Sequence, residues 1–329
     1  MSEKNVVLLL THRQDFYNVD LVADALRRLG ARPFRIDTDR FPTDLKLTVE
    51  LDESQRNTLV VGSETLPYDR IRAVWMRHLG MPTFDGEDLD PTFQQGCFRE
   101  SYAALVGFFD GLRGCRFVDR LENVDHAENK LHQLRVARAC GLSTPRTLLT
   151  NDPEKVRSFY DAENGNIIAK MLTPLTTSMD GSSAFVRTSR VGREDLAALE
   201  SLRLSPMCFQ AEVPKKHELR VIYVGGRFFA GGIDASGTRG SVDWRLVTKG
   251  EAPWFPATLP PAVSARLHDF MQKMQLSFGA LDVIVTPEGE HVFLEVNPTG
   301  EWGMLVRDLD LPIPEALAEL LWKEDTSGF

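Results

Sequence analysis

Residues 280–299 read ALDVIVTPEGEHVFLEVNPT, which is two apolar runs joined by a short polar turn. Apolar, β-branched runs on either side of Pro, Glu and Gly are typical of a β-hairpin, here with residues 287–290 as a four-residue loop. We therefore predict two antiparallel strands in which Thr286 faces His291.

This register places two acidic side chains opposite each other. Counting back along both strands puts Asp282 opposite Glu295, and Asn297 lies two residues further on the face of Glu295. Facing Cβ atoms are about 4.5–5.5 Å apart, and like charges there destabilise the sheet. Two carboxylates and an amide oxygen form an all-oxygen set that suits Mg²⁺. The alternative is a hairpin with two outward-facing acids that bind no metal. The metal site is the better interpretation only if phosphate-binding groups lie upstream in the chain.

Composition limits the class of protein. The length of 329 residues predicts two or three domains. No apolar run approaches the roughly 18 residues of a membrane span, so we expect a soluble, cytoplasmic protein without a membrane partner. The net charge of −9, without a basic tract, predicts no nucleic-acid partner. The four cysteines lack metal-ligand spacing and are typical of structural thiols in a reducing compartment.

The chain opens with a β-α-β pattern. An apolar strand at 5–10, a helix at 19–29 and a strand at 32–36 predict a small α/β domain with a parallel sheet. The loop after the first strand has no glycine fingerprint, which argues against a dinucleotide site. Changes of pattern near residues 120 and 205 predict three domains, 1–120, 121–205 and 206–329.

Cationic side chains precede the hairpin. Lys130 begins an amphipathic helix, Lys170 ends a strand, and the Thr-, Ser- and Gly-rich residues 172–183 predict a mobile loop over phosphates, with a plain surface loop as the alternative. With Arg220 and the predicted metal ligands, these lysines complete a nucleotide site in which cations contact phosphate oxygens. Glu218 is placed to bind ribose hydroxyls. A strand edge from Gln210 to Val213 would pair with adenine.

This order of residues resembles the ATP-grasp superfamily over about residues 120–305. The resemblance implies an ATP-grasp fold with an N-terminal α/β pre-ATP-grasp domain, a central subdomain with the phosphate lid, and a C-terminal subdomain with the hinge and the metal site. It also implies ATP and Mg²⁺ as cofactors. The implied roles are phosphate binding by Lys130 and Lys170, adenine binding at Glu212 and Val213, ribose binding by Glu218, γ-phosphate and acyl-phosphate binding by Arg220, and metal binding by Asp282, Glu295 and Asn297.

Five shorter motifs extend the resemblance along nearly the whole chain. They are THRQDF at 11–16, FRIDTDRFP at 34–42, NKLHQLR at 129–135, DASG at 234–237 and VDWR at 242–245. Together they resemble the graspetide macrocyclases of the microviridin and plesiocin type. The implied partner is a precursor peptide with a leader and a Thr- and Glu-rich core. The implied activity is phosphorylation of a Glu or Asp side chain, followed by attack of a Thr or Ser hydroxyl, or a Lys amine, to close an ester or amide ring.

Three further roles are left with alternatives. Asp234 and Asp243 are candidates for the base that a hydroxyl nucleophile needs, but a structural salt bridge with Arg239 or Arg245 is the alternative. Those arginines could instead hold acidic residues of the substrate. We expect residues 186–204 to recognise the leader, with a solvated face as the simpler interpretation. The N-terminal domain would shape the cleft or build a homodimer interface.

Two rival functions remain from the sequence. One is an ATP-grasp ligase that joins an amino acid to a small-molecule or protein-tail carboxylate. The other is a non-catalytic ATP-binding regulatory protein, against which the Asp282, Glu295 and Asn297 set argues.

Overall fold

The computed structural model describes residues 4–51, 57–84, 86–112, 114–172, 188–236, 238, 244 and 252–323. The helices are α1 (Tyr17–Arg28), α2 (Pro91–Asp110), α3 (Leu121–Ala127), α4 (Lys130–Ala139), α5 (Pro153–Ala162), α6 (Pro261–Lys273), α7 (Gly303–Leu309) and α8 (Ile313–Trp322). The strands are β1 (Val6–Thr11), β2 (Arg32–Asp37), β3 (Leu45–Val49), β4 (Asn57–Val61), β5 (Glu64–Pro67), β6 (Ile71–Met76), β7 (Arg116–Val118), β8 (Thr147–Thr150), β9 (Ile167–Lys170), β10 (Ser189–Arg190), β11 (Met207–Ala211), β12 (His217–Val224), β13 (Arg227–Ile233), β14 (Trp254–Ala257), β15 (Phe278–Val285) and β16 (His291–Asn297). Within these ranges, no helix has the length and apolar character needed to cross a bilayer.

The N-terminal part is built on a parallel sheet of order β2-β1-β6-β7, with a small antiparallel sheet β3-β4-β5 beside it. Every residue of β1 is buried, as expected for a strand covered on both faces. Helix α1 ends before Gly30, whose φ of +83° suits the left-handed position after a helix. The predicted β-α-β opening is therefore present, and the mixed α/β fold class is confirmed.

The central part is an antiparallel sheet of order β10-β9-β11-β8. Its core contains Val156 of α5, Ile167 of β9 and Phe209 of β11. Because β11 pairs with β8 and β9, this sheet continues past the boundary predicted near residue 205. Within residues 186–204, which are expected to recognise the leader, the structure has a 3₁₀ helix, Asp195–Arg203.

The C-terminal part is an antiparallel sheet of order β14-β13-β12-β15-β16. Strands β12 and β13 meet at Gly225 and Gly226, whose φ values of +51° and +91° fit a two-residue hairpin turn. One face of the sheet packs on α4 and α6 through residues such as Phe270 and Phe293. The other face shares a core with α8 and α1, so apolar packing continues from this sheet into the N-terminal part.

Candidate functional site

The predicted hairpin is present, but its register near the turn differs from the prediction. Val285 pairs with His291, and the Thr286 N–H donates to the Glu290 carbonyl at 2.9 Å. The predicted pairing of Thr286 with His291 is therefore wrong by one residue. Gly289, with φ of +88°, supplies the left-handed position that closes the five-residue connection.

A β-bulge restores the predicted pairing of the acids. The register shifts between Asp282 and Val283, so that Leu294 has no partner and Asp282 faces Glu295. A bulge adds one residue to one strand and re-aims the side chains beyond it. The one-residue register difference near the turn and the one-residue bulge offset each other. The predicted opposition of Asp282 and Glu295 is therefore confirmed.

Three cationic side chains converge on this acidic pair. Lys130 Nζ lies 3.4 Å and Lys170 Nζ 3.6 Å from Glu295 Oε2. Arg220, the cross-strand neighbour of Asp282, places Nη1 2.9 Å from Asp282 Oδ1. Three positive and two negative groups leave an excess positive charge, which favours binding of a polyanion such as a triphosphate.

Lys130 reaches the acids because helix α4 is fixed to strand β16. The Asn129 side chain accepts a hydrogen bond from the His132 N–H at 3.0 Å and caps the helix, so Lys130 occupies its first turn. The fully buried Gln133 donates to the Val296 carbonyl and accepts from the Val296 N–H, both at 2.9 Å. Sequence reasoning missed this role of Gln133. A Gln inside an amphipathic helix carries no sequence signal of a contact with a strand residue 163 positions later.

Lys170 enters from the central sheet. It is the last residue of β9 and pairs with Cys208 of β11, so the antiparallel ladder fixes where its side chain leaves the sheet. Residues 173–183 of the predicted phosphate lid lie outside the described residues.

Arg220 is held on several sides and is only 6% exposed. Its Nε and Nη2 donate to the Glu301 carbonyl at 3.1 and 2.9 Å, and its guanidinium carbon lies 6.0 Å from the centre of the Trp244 ring. A Cβ on Gly300 would lie 2.7 Å from Arg220 Nη2. Gly300 is therefore required for the close approach of the loop after β16 to this guanidinium.

The expected strand edge for adenine begins later than predicted. Gln210 pairs with Ile168 of β9 and Thr147 of β8, and its side chain donates to the Thr147 hydroxyl at 3.0 Å. A central strand has no edge at that point, so the edge prediction is wrong for Gln210.

Glu212 and Val213, the two residues predicted to bind adenine, follow β11. The Glu212 N–H donates to the Asn166 carbonyl at 2.9 Å, and both Glu212 carboxylate oxygens accept from Arg190 at 2.6–2.9 Å. This charge-assisted contact raises the pKa of Arg190 and fixes the Glu212 side chain. Val213 lies beyond the last paired residue, which leaves it as the first position on the edge.

Glu218 begins the row of polar residues on β12. It is 5% exposed and lies two residues before Arg220, so both side chains leave the same face of the strand. Lys215 Nζ lies 2.9 Å from Glu218 Oε1. Lys215 is not among the predicted site residues, and it adds a further cation beside Glu218.

Asn297 is exposed at the end of β16, on the face of Glu295. Its Oδ1 accepts a hydrogen bond from the Thr299 N–H at 3.1 Å, which fixes the amide orientation and leaves one lone pair of that oxygen. The Asp282, Glu295 and Asn297 oxygens therefore form a set whose chemistry fits Mg²⁺.

Asp234, a predicted candidate base, is poorly suited to that role. Hydrogen bonds from the Ser236 hydroxyl and N–H lower its pKa, which weakens it as a base. It follows β13 three residues after Gly231, the partner of Arg220, which is about 10 Å along the strand. The predicted site residues Arg239 and Arg245, and Asp243 with them, lie outside the described residues.

The N-terminal part reaches the site through a buried arginine that sequence reasoning missed. Arg77 follows β6, is 1% exposed, and donates to the Thr299 carbonyl and the Glu301 carboxylate. Its Nε lies 3.2 Å from Asp15 Oδ2. Glu301 therefore contacts Arg220 through its carbonyl and Arg77 of the N-terminal part through its carboxylate.

Comparison with known proteins gives the family. Residues 6–125 match the family model of the MvdD pre-ATP grasp domain. The chain is 44% identical to the macrocyclase MdnB from Microcystis aeruginosa MRC, with a TM-score of 0.84, covering 97% of this chain and 100% of that one. It is 33% identical to the macrocyclase MdnC of the same organism, bound with precursor peptide MdnA (TM-score 0.87; 96% and 99% covered).

A third structure extends this similarity to a complex with nucleotide. It is a RiPP-associated ATP-grasp ligase of Chryseobacterium gregarium with ADP and a leader and core peptide, 28% identical with a TM-score of 0.87 and 96% of each chain covered. A comparison with curated proteins gave no match.

The fold and the site define an ATP-grasp ligase. Within that class, the chain belongs to the graspetide ligases, the family of the macrocyclases MdnB and MdnC.

Proposed function

We propose that this enzyme is an ATP-dependent macrocyclase of a ribosomally made precursor peptide. It would activate Glu or Asp side chains of the peptide as acyl phosphates and join them to Thr or Ser hydroxyls, or to Lys amines. The observation that carries the proposal is the convergence of Lys130, Lys170 and Arg220 on the Asp282–Glu295 pair. The similarity to MdnC, whose structure contains a precursor peptide, supports a peptide as the substrate.

ATP would lie between the central and C-terminal sheets. Glu212 and Val213 would face adenine, Glu218 would accept hydrogen bonds from the ribose, and the two lysines would contact phosphate oxygens. The ADP in the Chryseobacterium complex supports a nucleotide at the corresponding site. When bound by Asp282, Glu295 and Asn297, Mg²⁺ would supply charge neutralisation for the phosphate oxygens.

Phosphorylation of the peptide carboxylate would provide the leaving group that ring closure needs. A free carboxylate is a poor electrophile, and phosphorylation converts it to a mixed anhydride from which phosphate can depart. Arg220 is fixed by Asp282 and by the Glu301 carbonyl, so its guanidinium needs little reorganisation to stabilise charge on the transferred phosphoryl group. The cleft would then hold the acyl phosphate away from water until the peptide's own nucleophile attacks.

The experiment is mass spectrometry of MdnA incubated with the enzyme, ATP and Mg²⁺. We expect loss of the mass of one water for each ring, dependent on ATP. Mild alkali should reopen ester rings and leave amide rings intact. Release of ADP without any mass loss, or a gain in mass by one amino acid, would favour the rival ligase. No ATP consumption with MdnA, nor with any Thr- and Glu-rich peptide encoded beside the gene, would favour the regulatory alternative.

Three predictions from composition and one for the N-terminal domain accompany this proposal. They are a cytoplasmic location, homodimerisation, and the absence of nucleic-acid and of membrane partners. Size-exclusion chromatography with light scattering would test the homodimer.

A further inference from the structure

A histidine at the C-terminal edge of the parallel sheet lies beside Glu301, the residue whose carbonyl holds Arg220. His78 follows β6, at the carboxyl ends of the strands, where ligands bind in open α/β sheets. Its side chain is 31% exposed, and its Nε2 lies 3.8 Å from Glu301 Oε1. This is an imidazole beside a carboxylate, the pairing that orients general bases in many enzymes.

Glu301 is held so that its carboxylate stays ionised. Asn18 Nδ2 donates to Glu301 Oε2 at 2.6 Å, and Arg77 donates to Oε1. Partial desolvation raises the pKa of Glu301, but His78 and Arg77 outweigh it and lower the pKa to about 2. An ionised Glu301 favours the N–H of His78 on Nε2, which leaves the Nδ1 lone pair available.

Glu301 connects His78 to a cation of the site. Glu301 binds Arg220 through its carbonyl and faces His78 through its carboxylate, so a single residue separates the guanidinium from the imidazole. On another side is Glu128, at the end of α3. Burial and then the charge of Asp125 raise the pKa of Glu128, whereas Lys130 and His78 lower it.

The neighbouring His12 is not equivalent. The two rings are 5.3 Å apart, but His12 Nδ1 accepts a hydrogen bond from the Gln14 N–H at 3.3 Å. In the neutral ring, the other nitrogen of His12 then carries the proton and cannot act as a base. His12 therefore serves as the matched comparison for His78.

The same cluster is a poor metal site. His12, Asp15 and His78 have ligand atoms within 4.8 Å of one another. Asp15, however, already binds the Thr11 hydroxyl at 2.8 Å, and the buried Arg77 guanidinium lies 3.2 Å from the same oxygen. A permanent positive charge at that distance opposes a second cation.

We propose that His78, oriented by Glu301, is the general base of ring closure, which rests on the proposed macrocyclase function. As the Thr or Ser hydroxyl oxygen of the peptide attacks the acyl carbon, its proton passes to His78 Nδ1. The new carbon–oxygen bond of the ester forms, and the bond from the acyl carbon to the phosphate oxygen breaks. Phosphate leaves with the electron pair, and the imidazolium returns its proton to solvent or phosphate. Activation of the carboxylate needs no such base.

The test separates activation from closure. Wild-type, His78→Gln and His12→Gln enzymes are incubated with MdnA, ATP and Mg²⁺, with and without hydroxylamine, which traps acyl phosphates as hydroxamates. We expect His78→Gln to form hydroxamate like wild type but to close rings about 10²–10⁴-fold more slowly. His12→Gln should stay within a few-fold of wild type in both measurements. Added imidazole should partly restore closure in a His78→Gly enzyme.

The pH dependence of closure gives a second measurement that needs no variant. The titratable and charged groups around His78 are Glu301 after β16, His12 and Asp15 after β1, Glu128 after α3, and the adjacent Arg77. With a general base, single-turnover closure should rise with pH and reach a plateau once the base is deprotonated. Without a base, the rate should keep rising with hydroxide concentration.

The outcomes distinguish failure of the inference from failure of the proposed function. Equal closure rates in wild type and His78→Gln, equal losses in both histidine variants, or a closure rate without a plateau would overturn the role of His78. Wild-type enzyme that forms neither hydroxamate nor rings would overturn the proposed function, and the inference with it. If His78→Gln loses hydroxamate formation as well, the pH profile of the wild type decides.

Discussion

At the scale of single residues, the site is an array of opposite charges at close distance. Glu295 lies between two lysines, and Asp282 is paired with Arg220. The acids are only 14% and 21% exposed, so a change in their charge is felt strongly by the neighbouring cations. Substitutions that keep shape and remove charge are therefore the most informative.

We expect Glu295→Gln to abolish precursor-dependent ADP release, with a loss of at least about 100-fold. The amide keeps the volume of the side chain but removes the charge that would bind Mg²⁺ and position both lysines. The measurement is coupled ADP release over a range of Mg²⁺ concentrations. Glu288→Gln, an exposed change in the hairpin loop, is the control. Full activity of Glu295→Gln would remove this residue from the metal site.

Lys170→Ala should weaken nucleotide binding while the fold is retained. A charge-assisted hydrogen bond to phosphate contributes about 1.5–3 kcal/mol, which corresponds to roughly 10- to 100-fold in Kd. Isothermal titration with ADP and Mg²⁺ checks this, and Lys155→Ala on the exposed side of α5 should bind ADP as wild type does. An unchanged affinity for Lys170→Ala would place its side chain outside the phosphate site.

The sequence predicts some of these residues and not others for a physical reason. Asp282 and Glu295 lie on one hairpin, so counting along two strands brings them together. Arg77 and Glu301 are 224 positions apart, and their contact depends on how the N-terminal sheet docks on the loop after β16. No local periodicity encodes such a contact.

At the scale of elements, the turn and the loop after β16 set the geometry of the site. The bulge at Leu294 compensates for a connection one residue longer than predicted, so the opposed acids are found in spite of a wrong register near the turn. Strand and helix positions follow from apolar periodicity and capping residues. The point at which a bulge interrupts a ladder does not, because it depends on packing against neighbouring strands.

We expect Gly300→Ala to reduce activity by about 10- to 100-fold and stability by about 1–3 kcal/mol. Its Cβ would lie 2.5 Å from the Ala280 Cβ and 2.7 Å from Arg220 Nη2, so the loop or the guanidinium must move. Gly96→Ala, within α2 and with open space around the new Cβ, should instead gain about 0.5–1 kcal/mol. Urea unfolding and ADP release measure both effects. Unchanged activity in Gly300→Ala would show that the loop is not tightly fitted to Arg220.

At the scale of the whole molecule, one buried carboxylate joins the N-terminal sheet to the C-terminal sheet. Asp119, after β7, accepts hydrogen bonds from the N–H groups of Ser277 and Phe278 at 2.9–3.0 Å. Burial raises its pKa to about 6 in spite of these bonds. The folded protein therefore holds a proton on Asp119 at pH values where the unfolded chain has released it.

This proton gives a pH dependence of known sign. Between about pH 4 and 6 the folded state binds more protons than the unfolded state at this residue, so the free energy of unfolding falls as pH rises and is constant above that window. We expect the wild type to lose on the order of 1–3 kcal/mol across the window relative to Asp119→Asn, which cannot ionise. Urea unfolding of both proteins at several pH values measures the difference in slope. Parallel curves would show that Asp119 titrates normally.

The contacts of Arg77 with Thr299 and Glu301 have a consequence for the construction of hybrid enzymes. Arg77 is inside the first 120 residues, whereas its partners Thr299 and Glu301 are close to the other terminus. Grafting the front portion of a relative that lacks an arginine at the position of Arg77 onto this chain would remove one half of this buried contact. Transplants should therefore include the segment 299–301 from the same donor, or they will assemble with a misplaced Arg220.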